Sequence, residues 1–431
     1  MRRYDSYKDS GVEWLGEVPS HWEVQPLRTV TRLKADRNRP DLPVLSVYRE
    51  YGAILKDSRD DNHNATSLDT STYKAVKPGD LIVNKMKAWQ GSMGVSVYAG
   101  IVSPAYITCS TNSERINPHF LHYLLRSEPM IGVYNALSYG VRIGQWDMHY
   151  EDFKTIPIPI PTMLEQDRIV AFLDEKTAEI DAAIAKKKRL IELLKEQKNI
   201  LINRAVARGL NPDAPMRDSG VEWIGKIPAH WSLKRLCNLS RVVRGASPRP
   251  AGHPKYFTTE PIVPWVTAAE ITKDESRYLT STTEYLTVIG AKNSQAFSSG
   301  TVVFTNSGAT LGVPKILAIN CCANDGVLAL KSLSPEIDKE FLYLFLSTTT
   351  VRLRDEMKQG GGQPNLNTGI VKNISIPIPD FDEQVAIVKF IDDYLAMNDS
   401  LLISASSQID TLNSLKEVLI SLAVFGKINV L

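Results

Sequence analysis

Cysteine is scarce in this chain, with four in 431 residues, at positions 109, 237, 321 and 322. None forms a CxxC pair, and the adjacent Cys321 and Cys322 suit neither a zinc knuckle nor a disulfide framework. All four are expected to be packing residues. No apolar run reaches the roughly 18–20 residues that span a bilayer. Met1-Arg2-Arg3-Tyr4-Asp5 has no apolar signal core behind it. The expectation is a cytoplasmic protein with no membrane contact.

Catalytic signatures are missing too. There is no GxGxxG after a strand, no phosphate-loop lysine, no GxSxG elbow and no HExxH. Asn211-Pro212-Asp213 lacks the second proline and the aromatic of an amino-methyltransferase motif, and no convincing PD…(D/E)xK nuclease core occurs. Gly360-Gly361-Gly362 has no Lys-Ser/Thr after it and reads as a flexible turn. His119 and His122 stand three apart without a partnering motif, which favours helix-surface or core roles over a metal site. An excess of one charge sign is also lacking, since the net charge is +2. The cations are nevertheless bunched: Arg32, Lys34, Arg37 and Arg39 surround one Asp36, and 234–249 holds five with no acid. Such patches bind phosphates even where acids elsewhere balance the total.

What the chain does have is an internal repeat. DSGVEWLGEVPSHWEVQPL (9–27) and DSGVEWIGKIPAHWSLKRL (218–236) are identical at 11 of 19 positions. IPIPIPTMLEQDRIVAFLDEKTAEID (156–181) and ISIPIPDFDEQVAIVKFIDDYLAMND (374–399) share 13 of 26. Between these blocks the halves diverge, leaving echoes such as GDLIV (79–83) against GTVVF (300–304). A similar frame therefore holds different contents in each half. The interiors, 28–155 and 237–373, read as β-rich, with helices expected at 118–127 and 335–357.

The proline-alternating segments 156–161 and 374–379 must be extended. Thr162-x-x-Glu165 and Asp380-x-x-Glu383 have capping-box form, so both glutamates are expected to begin helices, not to serve as acid–base catalysts. The first helix runs to about Arg208 and stops at Gly209. Its 3-4 spacing places Leu173, Ile180, Ile184, Ile191, Leu194 and Leu201 on one seam. The matching seam after the second block carries Ile391, Leu395, Leu402, Ile409, Leu412 and Leu419. Two matched helices bury their seams most simply against each other, as an antiparallel coiled coil about 65 Å long with a pseudo-twofold axis. The expected class is α+β: two β-rich mixed domains separated by two long helices.

These residues resemble the specificity subunit of type I restriction-modification systems. The resemblance covers essentially the whole chain. Its carriers are SGVEWLGEVPSHW (10–22) and SGVEWIGKIPAHW (219–231), the IPIP-x-x-x-EQ blocks, GDLIVNKMKAWQGSMGVS (79–96) with GIVSPAY (100–106), and RGASPRP (244–250) with PWVTAAEI (264–271). It implies target-recognition domains at 1–160 and 211–378, with spacer helices at 161–210 and 379–431. Each domain would read half of an asymmetric bipartite site on double-stranded DNA.

The resemblance also implies partners. Two modification subunits would bring S-adenosylmethionine, and two restriction subunits would bring ATP and Mg-dependent chemistry; this chain would bind no cofactor and no metal and catalyse nothing. Rival readings are a modification-only system, a coiled-coil adaptor for two proteins, and a fused methyltransferase, the last opposed by the missing cofactor loop. Polar residues near glycines are the candidate DNA readers. In the first domain these are Lys85, Lys87, Gln90, Arg142 and Gln145. In the second they are Arg244, Ser247, Lys292, Asn306, Gln363 and Asn365. Trp14, His21 and Trp22 with Trp223, His230 and Trp231 belong to the shared frame, and so to packing or subunit docking.

Overall fold

A computed structural model describes residues 2–59, 66–67, 69–142, 145–306, 310–355 and 366–430, with only the backbone at Val141, Arg142 and Gln145. The fold is mixed α+β and separates into two compact units, residues 1–188 with 405–431, and residues 189–404. No helix among the described residues is long and apolar enough to cross a membrane.

Both units build their frames in the same way. The first repeat folds as a short hairpin, Tyr7–Asp9 against Glu17–Pro19 in unit 1 and Met216–Asp218 against Lys226–Pro228 in unit 2. Gly11 and Gly220 turn the loop at φ 72°, and the N–H of each donates to the carboxylate two residues before it, Asp9 or Asp218, at 2.9 Å. The proline-alternating segments are extended, as their chemistry requires. Pro157–Ile160 pairs antiparallel with Glu23–Pro26, and Ser375–Ile378 with Ser232–Arg235. Prolines donate nothing to a ladder, and these two-stranded ribbons give them a place where few donors are required.

Each frame holds a sheet of the same order. In unit 1 it runs Thr31–Lys34, Tyr106–Thr111, Leu81–Asn84, Met93–Val95, all antiparallel. In unit 2 it runs Arg241–Arg244, Val327–Lys331, Val302–Thr305, Pro314–Leu317, with Tyr278–Leu279 added in parallel at the edge. The echo noted at GDLIV and GTVVF is a shared sheet strand. The remaining strands are private to each unit. Unit 1 adds the hairpin Leu45–Tyr48/Gly52–Leu55 and the pair Lys74–Val76/Gly100–Val102. Unit 2 adds a second five-stranded sheet built from Phe257–Thr258, Glu284–Leu286, Val263–Val266, Cys321–Ala323 and Gln295–Phe297.

The expected helix at 118–127 is Pro118–Leu125, followed by a separate helix Glu128–Leu137 that the sequence reading did not single out. Pro129 near the start of the latter forces a fresh helix start, because proline suits a first turn and not a helix interior. The helix expected at 335–357 occupies Lys339–Asp355. It begins where the Asp338 carboxylate accepts the N–H groups of Glu340 and Phe341.

The two long helices are Met163–Arg208 and Phe381–Val424, and each contributes a segment to both units. Within unit 1, Leu173, Ile180 and Ile184 are buried in one core with Leu419 and Ala423, and Lys416 holds both Asp181 oxygens at 2.7 Å. Within unit 2, Ile202 and Ala205 share a core with Ile387 and Ile391. There the Asn398 amide donates to the Leu194 carbonyl at 3.2 Å. Of the other seam residues, Leu194 is buried, while Ile191, Leu201, Leu395, Leu402, Ile409 and Leu412 are partly buried.

Cys237 corrects the expectation of four buried cysteines: it is exposed, while the other three are buried. Its short helix, Leu236–Leu239, turns Leu236 and Leu239 inward at a spacing of three, which leaves position 237 outside. Burial pushes the Cys109 and Cys321 thiols up to about 12, so both stay protonated and inert.

Candidate nucleic-acid interface

The frame positions the surfaces that vary, and a duplicated polar network holds the frame. In unit 1 the buried Trp22 indole donates to Glu165 at 3.2 Å, and His21 meets the same carboxylate oxygen at 2.8 Å. In unit 2 Trp231 and His230 meet Glu383, both at 2.9 Å. Burial pushes the Glu165 carboxyl up, but hydrogen bonds from His21, Thr162 and Trp22 outweigh it, and the net direction is downward. The expected capping box closes at Thr162: its N–H donates to Glu165 at 3.2 Å, and the Glu165 N–H returns to the threonine oxygen at 3.4 Å. Glu383 instead spends one oxygen on both Trp231 and His230. Asp380, an anion like Glu383, has no hydroxyl proton to offer it as Thr162 does.

Sequence reasoning passed over the glutamine beside each of these glutamates. Gln166 is fully buried; it accepts from the Asn117 N–H at 2.7 Å and donates to the Arg115 and Pro161 carbonyls. Gln384 repeats this in full, accepting from Asp338 at 2.8 Å and donating to Glu336 and Pro379. The pair ties the start of each long helix to the start of its neighbouring helix. Its signal was present in the repeated EQ dipeptide, where both residues persisted and only one had been given a role.

In unit 1 the strand Leu81–Asn84 runs into a tight helix, Lys85–Gln90, ended by Gly91 at φ 82°. Lys85, Lys87 and Gln90 all lie on it. Against it docks the hairpin Tyr139–Arg142/Gln145–Asp147, in which Arg142 and Gln145 are backbone partners. Three contacts pin the hairpin: Met148 N–H to the Lys85 carbonyl at 2.9 Å, Lys85 to Asp147 at 3.3 Å, and Trp89 edge-on to Trp146 at 5.2 Å. The structure thus brings all five candidates of the first domain to one place. Lys87, Gln90 and Trp89 line a groove of about 660 Å³ with Tyr48 and Tyr106.

In unit 2 three of the six candidates, Arg244, Ser247 and Asn306, gather on the turn Asn324–Asp325–Gly326. Arg244 donates through Nε to the Asp325 carbonyl at 2.6 Å, and the Asn306 amide donates to that same carbonyl at 3.2 Å. Ser247 donates to the Asp325 carboxylate at 2.5 Å, with Arg249 at 3.9 Å. The Ser247 hydroxyl, aided by Arg244 and Arg249, holds this carboxyl below its usual range. Asn306 is buried. Lys292 ends an exposed short helix, and Ser294 just beyond it donates to Ala246 at 2.6 Å. Gln363, Asn365 and the Gly360-Gly361-Gly362 turn lie outside the described residues.

His119 is exposed on its helix, and His122 accepts the Val95 N–H at 3.2 Å. Burial, with Arg126 nearby, lowers the His122 pKa to about 3. Among the described residues no group of three or more His, Cys, Asp or Glu could hold a metal.

Two units built on one frame, each ending in a private polar and cationic surface, define a duplicated recognition protein. Residues 228–406 match the family model of the type I restriction modification DNA specificity domain. The chain is 20% identical to the type I restriction enzyme EcoKI specificity subunit of Escherichia coli, over 96% of this chain and 90% of that one. Among solved structures, it superposes with TM-score 0.71 and 18% identity on a chain from a study of complex assembly and conformational transition of the type I R-M system, covering 94% of this chain and 98% of that one. With the HsdS subunit from Thermoanaerobacter tengcongensis the TM-score is 0.58 at 17% identity, covering 95% and 98%. Residues 228–406 thus match a type I DNA specificity domain, and nearly the whole chain is similar to specificity subunits of type I restriction enzymes.

Proposed function

We propose that this chain reads the two halves of an asymmetric bipartite DNA site, one with each unit, and performs no chemistry itself. The observation that carries the reading is the identical four-strand order in both frames with different strands inserted into each. Parts common to both halves serve partners common to both; private parts serve different sequences. In this reading residues 1–160 and 211–378 are the recognition domains. Residues 161–210 and 379–431 form an antiparallel coiled-coil spacer on a pseudo-twofold axis, whose length sets the unread gap.

Lys85, Lys87, Gln90, Arg142 and Gln145 read or position one half-site, and Arg244, Ser247, Lys292, Gln363 and Asn365 the other. Asn306, being buried, braces the Asp325 turn from within. Two modification subunits bring S-adenosylmethionine, and restriction subunits bring ATP and Mg. Support for protein partners comes from apolar side chains left in the open on the long helices. Leu190, Leu193 and Ile200, with Phe390, Met397 and Leu401, are 40–59% exposed, more than a helix needs to show to water.

Methylome sequencing of cells expressing this chain with its modification subunit tests the reading. The expected result is one split motif methylated on both strands. Methylation without a split motif would falsify it. Exchanging residues 28–155 for those of another family member is expected to change one half of the motif only.

A further inference from the structure

The polar cluster of unit 2 contains one side chain whose setting is unusual for a surface arginine. Arg244 ends its sheet strand, paired with Leu328. The next residue, Gly245, lies so close to the Asn324 turn that a Cβ there would stand 2.1 Å from the Asn324 carbonyl oxygen. Only glycine permits this approach, and the approach fixes where Arg244 leaves the strand. Its Nε–H is then held by the Asp325 carbonyl at 2.6 Å. The turn that presents this carbonyl is itself tied down: Asn324 N–H donates to Val266 at 3.0 Å, and Gly326 N–H to the Asn324 side chain at 3.1 Å.

With Nε occupied, the end-on edge of the planar guanidinium, formed by its two terminal nitrogens, is the edge left for a bidentate contact. Among the described residues neither makes a hydrogen bond or an ion pair within 4 Å, although the Asp325 carboxylate lies near enough to feel the guanidinium charge, and the side chain is exposed. An arginine that serves only stability usually gives its fork to a carboxylate. The corresponding strand end of unit 1 does so: Lys34 is bonded to Asp80 at 2.6 Å and lies 3.4 Å from Asp36, with 16% of its side chain exposed.

We propose that Arg244 is a base-reading residue, its terminal nitrogens pairing with O6 and N7 of one guanine in the half-site read by unit 2. The main chain of the Asp325 turn acts as its positioning support. This rests on the DNA-reading function proposed above and adds the base and the atoms. A phosphate would also fit a free fork, but the ionised Asp325 carboxylate in the same cluster repels a phosphate and tolerates a neutral base edge.

The test compares methylomes and duplex-panel methylation rates for the complex of the modification subunit with wild-type chain, Arg244→Ala and Arg244→Gln. Loss of a bidentate guanine contact lowers discrimination at one base pair roughly 10- to 100-fold, with every other position of the motif unchanged. Arg244→Gln is expected to move that position from guanine toward adenine, the natural partner of a glutamine amide. A motif unchanged in both variants overturns the proposal. So does an even loss of methylation at all variants of the site with the guanine preference intact, which is the signature of a phosphate contact. The untouched half-site reports folding within the same experiment. Should Arg244→Ala prove unstable, the glutamine variant, which keeps a polar side chain, decides the matter. Failure of the underlying reading looks different, since the wild type would then show no split motif.

Discussion

At the end of one sheet strand the two units make opposite choices. Unit 1 has Lys34, tucked against the buried Asp80 and screened from water; unit 2 has Arg244, fastened by a backbone carbonyl with its charged fork left open. The scaffolds beneath are the same, strand for strand. Position in the fold therefore does not decide which cation meets a ligand; what decides is whether a neighbour takes up its hydrogen-bonding capacity. In unit 1 an exposed cation lies instead at Lys87, on the helix Lys85–Gln90. That helix links two strands of the common sheet, and the Asp325 turn leads into another.

The frames offer the sharpest way to break this comparison. Trp231→Ala removes a buried aromatic and the indole N–H that Glu383 shares with His230, a loss of about 3–5 kcal/mol. Hydrogen exchange is expected to rise throughout 189–404 and little elsewhere; equal acceleration in both units would show that the frames are not independent. Gln384→Ala is expected to cost about 1–3 kcal/mol by leaving the Asp338 N–H and two carbonyls unpaired. Gln166→Ala should match it in unit 1, as read from the urea midpoint of each unit. A large disparity would mean that the repeated dipeptide does different work in the two halves.

Acid should separate the units as well. His122 has a folded pKa of about 3, against roughly 6.5 when unfolded. The unfolded chain thus binds more protons between these values, and stability falls as pH drops from about 6.5 toward 3. A loss of about 2 kcal/mol is expected for unit 1 by pH 5, abolished by His122→Gln and absent from unit 2. Glu165, held below its usual range, adds stability that is present above about pH 4.5 and is lost as pH falls through its folded value. The smallest effect belongs to the Lys85–Asp147 pair, which is 40% and 36% exposed. Asp147→Asn is expected to change stability by less than about 1 kcal/mol. A measurable change in the motif with unchanged stability would mark the hairpin as part of the reading surface.

Much of the frame was legible because its signals are local. The 3-4 spacing of Leu173, Ile180 and Ile184 states which side of a helix is buried, and proline alternation states an extended backbone. Sheet order was not legible, since Thr31–Lys34 pairs with a strand some 75 residues away through contacts that no local pattern encodes. The candidate sites were half legible. Lys85, Lys87, Gln90 and Arg244 follow from polar side chains beside glycines. Asp325 was missed because an acid is not an obvious resident of a cluster proposed to face DNA; its main-chain oxygen, invisible to side-chain reasoning, does the holding. Asn306 had the right chemistry and the wrong exposure.

The second long helix ends at Gly426, φ 67°, where a Cβ would lie 3.0 Å from the Trp22 ring, and nearby Asn429 bridges to Arg2. The first long helix ends likewise at Gly209, against Trp231. The two closures differ in timing on the ribosome. Unit 2 is one continuous run of sequence, and everything it needs has emerged once residue 404 is out. Unit 1 waits for 405–431 to cover Trp22, so the half that is made first is the half that is finished last, and its exposed tryptophan is a natural client for a chaperone in the interval.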